Sequence, residues 1–483
     1  MFKRICFILM AIILCQGLLK AQTNMQIKKY SAQEVKDDLK YIYETLEKST
    51  YDLFALVEKA EMDSAYHAIN RSITDSLTVL ETFRLFQPLV AMSGMSHCFI
   101  FKPWGEYQNI YLKQGGTVFP LDFYFLQGNV YVKDNFSTNT SISKLDEILS
   151  FNEVPIDKYM TEFYKNLSGP SDYFKNSQIE QYTFPRLYWL YYGECKEFKV
   201  KIKKKDGEEL NIVLNAISGS DFEDQLKKPK SDKDEEREFH KINNTVAYMR
   251  PGKFLNADAE DDLQNKETFD NTEFCSFIDS AFTVFAKEGS KDLIIDIRDN
   301  QGGDNSFSDY MIAYFATEPF SISSKFSMKT SQMTKSFWKD VEIPQYQDLK
   351  KQIMSLENGS YLDVDLTYTE PHAESKRFKG KVYVLINRYS YSNSASVAAI
   401  IQDYKFGEII GEETSDEVTS YAAMHVFKLL NTHMSVSYPK GFMVRPNGDT
   451  TPRGVVPDHN VLDDLSTDKD EVLEYTLKLI EGK

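Results

Sequence analysis

The 483-residue sequence carries 72 acidic and 56 basic side chains, a net charge of −16, and 42% apolar residues that include 29 Tyr and 33 Phe. That much apolar surface forms a sizeable core and argues against global disorder, and the length calls for two or three domains. The acidic balance argues against nucleic acid or anionic lipid as partners.

The first residues read as a secretory signal: Lys3 and Arg4, an apolar run from Ile5 to Leu14, and Ala21 before Gln22. The run is too short to span a bilayer comfortably, and no later stretch is apolar enough to do so. The expectation is export to the periplasm or beyond, with no stable membrane span once the signal is removed. Loss of residues 1–21, which hold Lys3, Arg4 and Lys20 and no acid, takes the charge to −19. Cys98, Cys195 and Cys275 then remain, too few and too scattered for a disulfide framework. There is no CxxC pair and no HExxH, so no metal and no cofactor is implied.

Residues 31–95 read as helical: Ser31 with Glu34 makes a capping-box pattern, Leu39, Ile42, Tyr43 and Leu46 recur at helical spacing, and a second amphipathic stretch runs from Leu77 to Met92. The segment ends in Ser96-His97-Cys98-Phe99, a turn into a strand. Residues 105–217 change to short alternating runs with Gly128-Asn129 and Asp206-Gly207 as turn signals, a β-rich module. Residues 218–243 are strongly charged and read as a linker, a solvated loop. From about Asn244 strands and helices alternate: Val246–Met249, Phe274–Phe285, Leu293–Ile297, a helix face at Phe307, Met311 and Tyr314, Val382–Ile386, Val397–Ile401 and Glu408–Ile410. This is α/β architecture. The expected division is a signal over 1–21, a helical region over 22–104, the β-rich module over 105–217, the linker over 218–243 and the α/β unit over 244–483.

Two strand-to-helix junctions are candidates for chemistry. Asp296-Ile297-Arg298-Asp299-Asn300-Gln301-Gly302-Gly303 places paired glycines after a buried strand, where exposed N–H groups can hold an oxyanion. By spacing alone a plain tight turn fits as well. Asn387-Arg388-Tyr389-Ser390-Tyr391-Ser392-Asn393-Ser394 places serines at a helix start, where an N-cap is the ordinary reading.

The run 296–303 resembles the D-L-R-x-N-x-G-G signature of the tail-specific (C-terminal processing) proteases. Ser390-Tyr391-Ser392-Asn393-Ser394 is similar to the family's S-x-S-x-S cluster. Gln402-Asp403, Gly411-Glu412-Glu413-Thr414 and Gly454-Val455-Val456-Pro457-Asp458 follow in the family's order. The resemblance covers about 290–460. It implies a ClpP/crotonase-like protease core, Ser392 as nucleophile, and an oxyanion hole from the backbone N–H groups of Gly302 or Gly303 and of Asn393.

One position departs from the pattern. Many family members carry a lysine base after the G-E-x-T element, and Glu417 stands there; no lysine occurs between Lys405 and Lys428. The tricorn-like branch instead uses a histidine from an N-terminal segment, and Ser96-His97 resembles that pair. Histidine suits the task because its ordinary pKa of roughly 6.5 leaves it neutral near pH 7. The branch's glutamate falls on Thr451 here, so Asp449 is the nearest carboxylate to orient His97, with Asp458 read as structural and Ser96 as an aid near the oxyanion. His425 and His433 are alternative bases, expected as core strand residues. The module at 105–217 resembles a PDZ insertion through Ile148-Leu149-Ser150-Phe151-Asn152, with Glu153 for the usual glycine, and a module that only shapes the cleft stands beside that reading.

Taken together, the sequence leads to an exported serine endopeptidase acting on unfolded or C-terminally exposed polypeptides. The alternatives are a non-catalytic peptide- or ligand-binding protein on a degenerate scaffold, and an esterase, although G-x-S-x-G is absent.

Overall fold

The computed structural model describes residues 27–227, 237–256, 269–342 and 346–482. The expected signal over 1–21 lies outside them. Among the described residues no helix is long and apolar enough to cross a membrane.

Helix α1 (Ala32–Ser49) starts at Ser31, whose hydroxyl accepts the Glu34 N–H while the Glu34 carboxylate accepts the Ser31 N–H. Two otherwise orphaned end donors are satisfied this way. After α2 (Lys59–Ser72), α3 (Val79–Ala91) opens with the same device, built from Thr78 and Glu81. Residues 92–98 then turn into the short strand β1 (Phe99–Ile100).

The next module is an antiparallel sheet of β2 (Leu121–Leu126), β3 (Asn129–Asn135), β4 (Glu147–Phe151), β5 (Glu197–Lys203) and β6 (Glu209–Asn215), in spatial order β6-β5-β4-β3-β2. It is less purely β than its alternating runs suggest. Between β4 and β5 lie α4 (Asp172–Tyr182) and α5 (Phe184–Tyr192), and α5 is apolar nearly all round. A helix of that kind is a core helix, invisible to a period-of-two reading. The module and the N-terminal helices share one continuous apolar core, running from Leu39 and Phe83 to Phe123 and Phe198. Leu145 and Glu153 both adopt left-handed backbone, at φ 67° and 66°.

The expected linker over 218–243 is corrected at both ends. Ser218 caps α6 (Gly219–Leu226), and Phe222 of that helix is fully buried. Strand β7 (Glu238–Lys241) pairs antiparallel with β8 (Val246–Arg250). High charge hid both elements, because one buried aromatic anchors α6 and a sheet edge tolerates polar side chains. Residues 228–236 between them lie outside the described set.

The α/β unit carries a six-stranded sheet that continues from β7 and β8 through β9 (Asp292–Asp296), β12 (Lys381–Ile386), β13 (Glu408–Gly411) and β16 (His459–Asn460); all pairs beyond β7 are parallel. The strands are near-continuous apolar runs because both faces are covered. Helices α7 (Thr272–Lys287), α8 (Asn305–Ile312) and α9 (Asn393–Asp403) pack on one face, and α10 (Glu471–Glu481) packs on the other. A second, antiparallel sheet combines β10 (Lys325–Lys329), β11 (Tyr361–Val364), β14 (Ser420–Lys428) and β15 (Ser435–Val444). Strand β1 joins it, pairing Phe99 with Ser437 and Ile100 with Val436. That pairing fastens the N-terminal third to the α/β unit a few residues after Ser96-His97.

Candidate active site

Strands β9 and β12 are parallel neighbours in register, Asp296 opposite Leu385. The turns that follow them, 297–304 and 387–392, therefore lie side by side at the carboxyl ends of the strands, where open α/β sheets place their sites. The Asn387 side chain accepts the Asp299 N–H at 3.1 Å and donates to the Asp299 carboxylate at 3.0 Å. The Tyr391 N–H donates to the Asn300 carbonyl at 3.0 Å.

Ser392 occupies the N-cap position of α9, yet its side chain makes no capping bond. Its backbone sits at φ 53°, ψ −119°, a region that side-chain-bearing residues rarely adopt. The turn points the hydroxyl away from the helix, 3.3 Å from Nε2 of His97. The neighbouring serines differ from it: the Ser390 hydroxyl donates to the Ile297 carbonyl, and Ser394 is buried.

His97 reaches Ser392 across 295 residues of sequence. The Ser437 hydroxyl donates to its carbonyl at 2.8 Å, and its ring stacks on Tyr391 with centroids 5.5 Å apart. His97 is 7% exposed. Burial disfavours the imidazolium and lowers the pKa to about 4, against a smaller opposing effect of the Tyr421 main chain. His97 is therefore neutral at physiological pH. Its Nδ1 lies 3.0 Å from the Ser96 hydroxyl, so Ser96 touches the far side of the ring and not the glycine-lined side.

Asp449 does not orient His97. It is exposed, and its carboxylate accepts the Thr451 N–H and hydroxyl at 2.9 and 2.7 Å, closing a local turn after Gly448. A carboxylate not considered in the sequence reading lies at the centre instead. Asp416 is 2% exposed, and its Oδ2 accepts the Ser392 N–H at 2.9 Å. Burial raises its pKa to about 7, opposed by the Ser392 N–H, the Ser96 hydroxyl and the Glu417 N–H. The signal for it was present, since Asp416 adjoins the lysine position, but its side chain points to the nucleophile turn only in three dimensions. Glu417 is partly buried and is also pushed up to about 7, by burial and then by the Asp416 charge.

Of the three candidate oxyanion donors, Gly302 is corrected: its N–H is engaged by the Asn300 side chain at 2.9 Å. The N–H groups of Gly303 and Asn393 donate to no described residue. Gly302 serves by close approach: a Cβ there would lie 2.6 Å from the Tyr391 carbonyl and 2.7 Å from the Asn393 N. Gly302→Ala thus pushes the two turns apart, and kcat/KM is expected to fall by on the order of 100-fold, read from initial rates. His425 is a buried strand residue bonded to Lys440, whereas His433 is exposed in the turn between β14 and β15 and not in a strand. Asp458 accepts the Ile409 N–H and the Gln402 amide, a structural clamp.

A hydroxyl on a strained strand-to-helix turn, faced by a neutral imidazole, belongs with the serine-type peptidases. The comparisons agree. Residues 267–461 match the model of peptidase family S41. The fold is similar to that of mature CPAF, at TM-score 0.58 and 13% identity over 93% of this chain and 96% of that one. Mature CPAF complexed with lactacystin matches at TM-score 0.58 and 13% identity, over 93% and 98%. At that identity the likeness is one of fold.

Proposed function

We propose that the protein is an exported endopeptidase that cleaves unfolded or C-terminally exposed polypeptides, with Ser392 as nucleophile and His97 as base. The observation that supports this most is the Ser392 hydroxyl, which leaves its own helix uncapped and faces Nε2 of a buried, neutral imidazole. In the reaction, Nε2 takes the Ser392 proton as Oγ attacks the peptide carbonyl carbon. The Gly303 and Asn393 N–H groups receive the oxyanion, at the positive end of α9. The imidazolium then returns its proton to the leaving amine, and water, deprotonated by the same nitrogen, releases the acyl group. We assign the parallel sheet with its helices to the ClpP/crotonase-like type. The PDZ-like reading of the module draws support from its antiparallel sheet and from the left-handed backbone at Glu153, where glycine is usual.

A fluorophosphonate probe tests the nucleophile. The purified protein is expected to label and Ser392→Ala to stay unlabelled; labelling that persists in Ser392→Ala would refute the assignment. A protein that never labels is the binding protein on the same scaffold. Casein and tail-tagged peptides against simple esters separate peptidase from esterase. The pH profile carries a further expectation. Protonation of His97 removes the base, and burial sets that event at about 4, so the histidine limb of kcat/KM falls near pH 4 and not near the ordinary value. Activity lost between pH 8 and 6 belongs to another group.

A further inference from the structure

We propose that the protein self-associates through the open edge of its β-rich module, strand β6 of one copy pairing antiparallel with β6 of a second copy. The inference is independent of the chemistry at Ser392. The module's sheet has two edges, and they differ. At β2 side chains seal the main chain. The Phe125 N–H donates to Glu180 at 2.7 Å, the Phe125 carbonyl accepts from Arg388 at 2.8 Å, and the Phe123 N–H donates to Asp122 at 3.0 Å. At β6, among the described residues, no strand pairs with the outer side.

The ladder between β5 and β6 tells which groups face outward. The Lys204 N–H donates to the Glu208 carbonyl at one end, and the Ala216 N–H to the Lys196 carbonyl at the other. Antiparallel bonding alternates along the pair. Leu210, Ile212 and Leu214 therefore turn their main chain to β5, while Glu209, Asn211, Val213 and Asn215 turn theirs away from it. Each of the latter is exposed, Val213 to 56%. Proteins ordinarily blunt such an edge with lysine, proline, a bulge or a covering element. β6 runs for 7 residues with neither lysine nor proline, and it pairs with β5 without a shift of register.

The sequence of the edge selects its occupant. Glu-Leu-Asn-Ile-Val-Leu-Asn is self-complementary about Ile212. A two-fold axis at Ile212 sets Asn211 against Val213 and Glu209 against Asn215, each twice by symmetry. These are the residues whose N–H and C=O groups are turned outward, so facing pairs can exchange both bonds. No charge meets a like charge. On the other face Leu210 meets Leu214, and Ile212 meets its own copy. Leu214 is buried, and Leu210 and Ile212 pack half-buried against the module's core, so the two cores become continuous. An unrelated extended peptide would find the same main-chain groups without this match of side chains. Two strands of this length make a small interface, so the dimer is weak and reversible.

Sedimentation velocity of the full chain over a concentration series should show the dimer growing in. Ile212→Cys supplies a test that only a second copy can pass. At the axis the new thiol faces itself in a non-hydrogen-bonded pair, within disulfide reach. Mild oxidation should yield a reducible covalent dimer well above the level of the parent, which keeps Cys98, Cys195 and Cys275. Asn211→Pro removes an outward donor and no bond to β5. It should weaken the dimer by about tenfold or more and suppress the Ile212→Cys cross-link. Substitutions at the exposed Asn215 read the register without touching the fold. Asn215→Lys, opposite Glu209, should tighten the dimer a few-fold, and Asn215→Glu should loosen it as much. Thermal melts matching the parent's establish that each variant is folded; should Asn211→Pro fail there, the Asn215 pair carries the test. A parent that stays monomeric throughout, a dimer indifferent to a folded Asn211→Pro, or equal effects of the two Asn215 substitutions would overturn the inference.

Discussion

Ser392→Ala and His97→Ala are each expected to lower kcat/KM for a peptide substrate by on the order of 10⁶-fold, and the double variant to be no slower than either single one. In the proposed reaction the two side chains work as one device. Without the imidazole the Ser392 hydroxyl stays protonated, and without the hydroxyl the imidazole has nothing to deprotonate. The residual rate in all three variants is expected to come from the turns that remain, with the Gly303 and Asn393 N–H groups as the proposed oxyanion donors. Ser392→Ala removes no structural bond, whereas His97→Ala also loses the contact with Ser96 and the stacking on Tyr391, so the fold of that variant is checked by its urea midpoint. The Ser392 hydroxyl caps nothing, and the bond from Ser437 to residue 97 uses the main-chain carbonyl. Initial rates for the parent, both singles and the double settle the point. Losses that multiply in the double variant would mean that the two residues act independently and do not form a pair.

Arg388→Ala is expected to destabilise the fold by about 3–5 kcal/mol, the usual cost of leaving a buried charge without its partner. Arg388 is 4% exposed and lies four residues before the nucleophile. It donates to Glu412 at 2.6 Å, to Glu180 at 3.2 Å and to the Phe125 carbonyl at 2.8 Å. Burial alone would lower its pKa, but the Glu412 hydrogen bonds and the Glu180 charge outweigh that and hold it above its ordinary value. Glu180 on α4 is 2% exposed and also accepts the Tyr389 hydroxyl at 2.6 Å and the Phe125 N–H at 2.7 Å. Truncating the arginine leaves this carboxylate buried, where protonation becomes its cheapest state. Arg388→Met combined with Glu180→Gln should recover part of the loss, since the most buried carboxylate is then uncharged and only the less buried Glu412 keeps a charge without the arginine. Urea midpoints read the effect, and a full-strength midpoint for Arg388→Ala would show the cluster to be unimportant. Activity should fall along with stability, because the cluster ties the β-sheet module to the turn that presents Ser392.

The elements that answer to local chemistry were readable from the chain. The capping box at Ser31 and Glu34, the apolar strands at 293–297 and 382–386 and the helix face of Phe307 and Met311 are all where periodicity placed them. The two glycine- and serine-bearing junctions were legible for the same reason. Each is a short stretch whose residue types match one backbone task. The charged segment at 219–226 was not, because a single buried Phe222 outweighs its exposed acids once a neighbouring surface exists to receive it.

The constellation around Ser392 was decided by folding. Local spacing favoured Asp449, since it lies near the position where a related glutamate would fall, but a turn at Gly448 aims it at its own backbone. Asp416 comes into place because β13 runs beside β12, which returns the chain after Gly411 to the nucleophile turn. Gly302 and Gly303 look alike as letters, yet one N–H is engaged by Asn300 and the other is not. His97 arrives because β1 pairs with β15, a contact between segments more than three hundred residues apart. Periodicity and turn chemistry act over a few residues, and they suffice to form strands, helices and exposed turns. Which side chains then face one another depends on sheet order, strand register and the direction of each Cα–Cβ bond, and these exist only once the distant segments have packed.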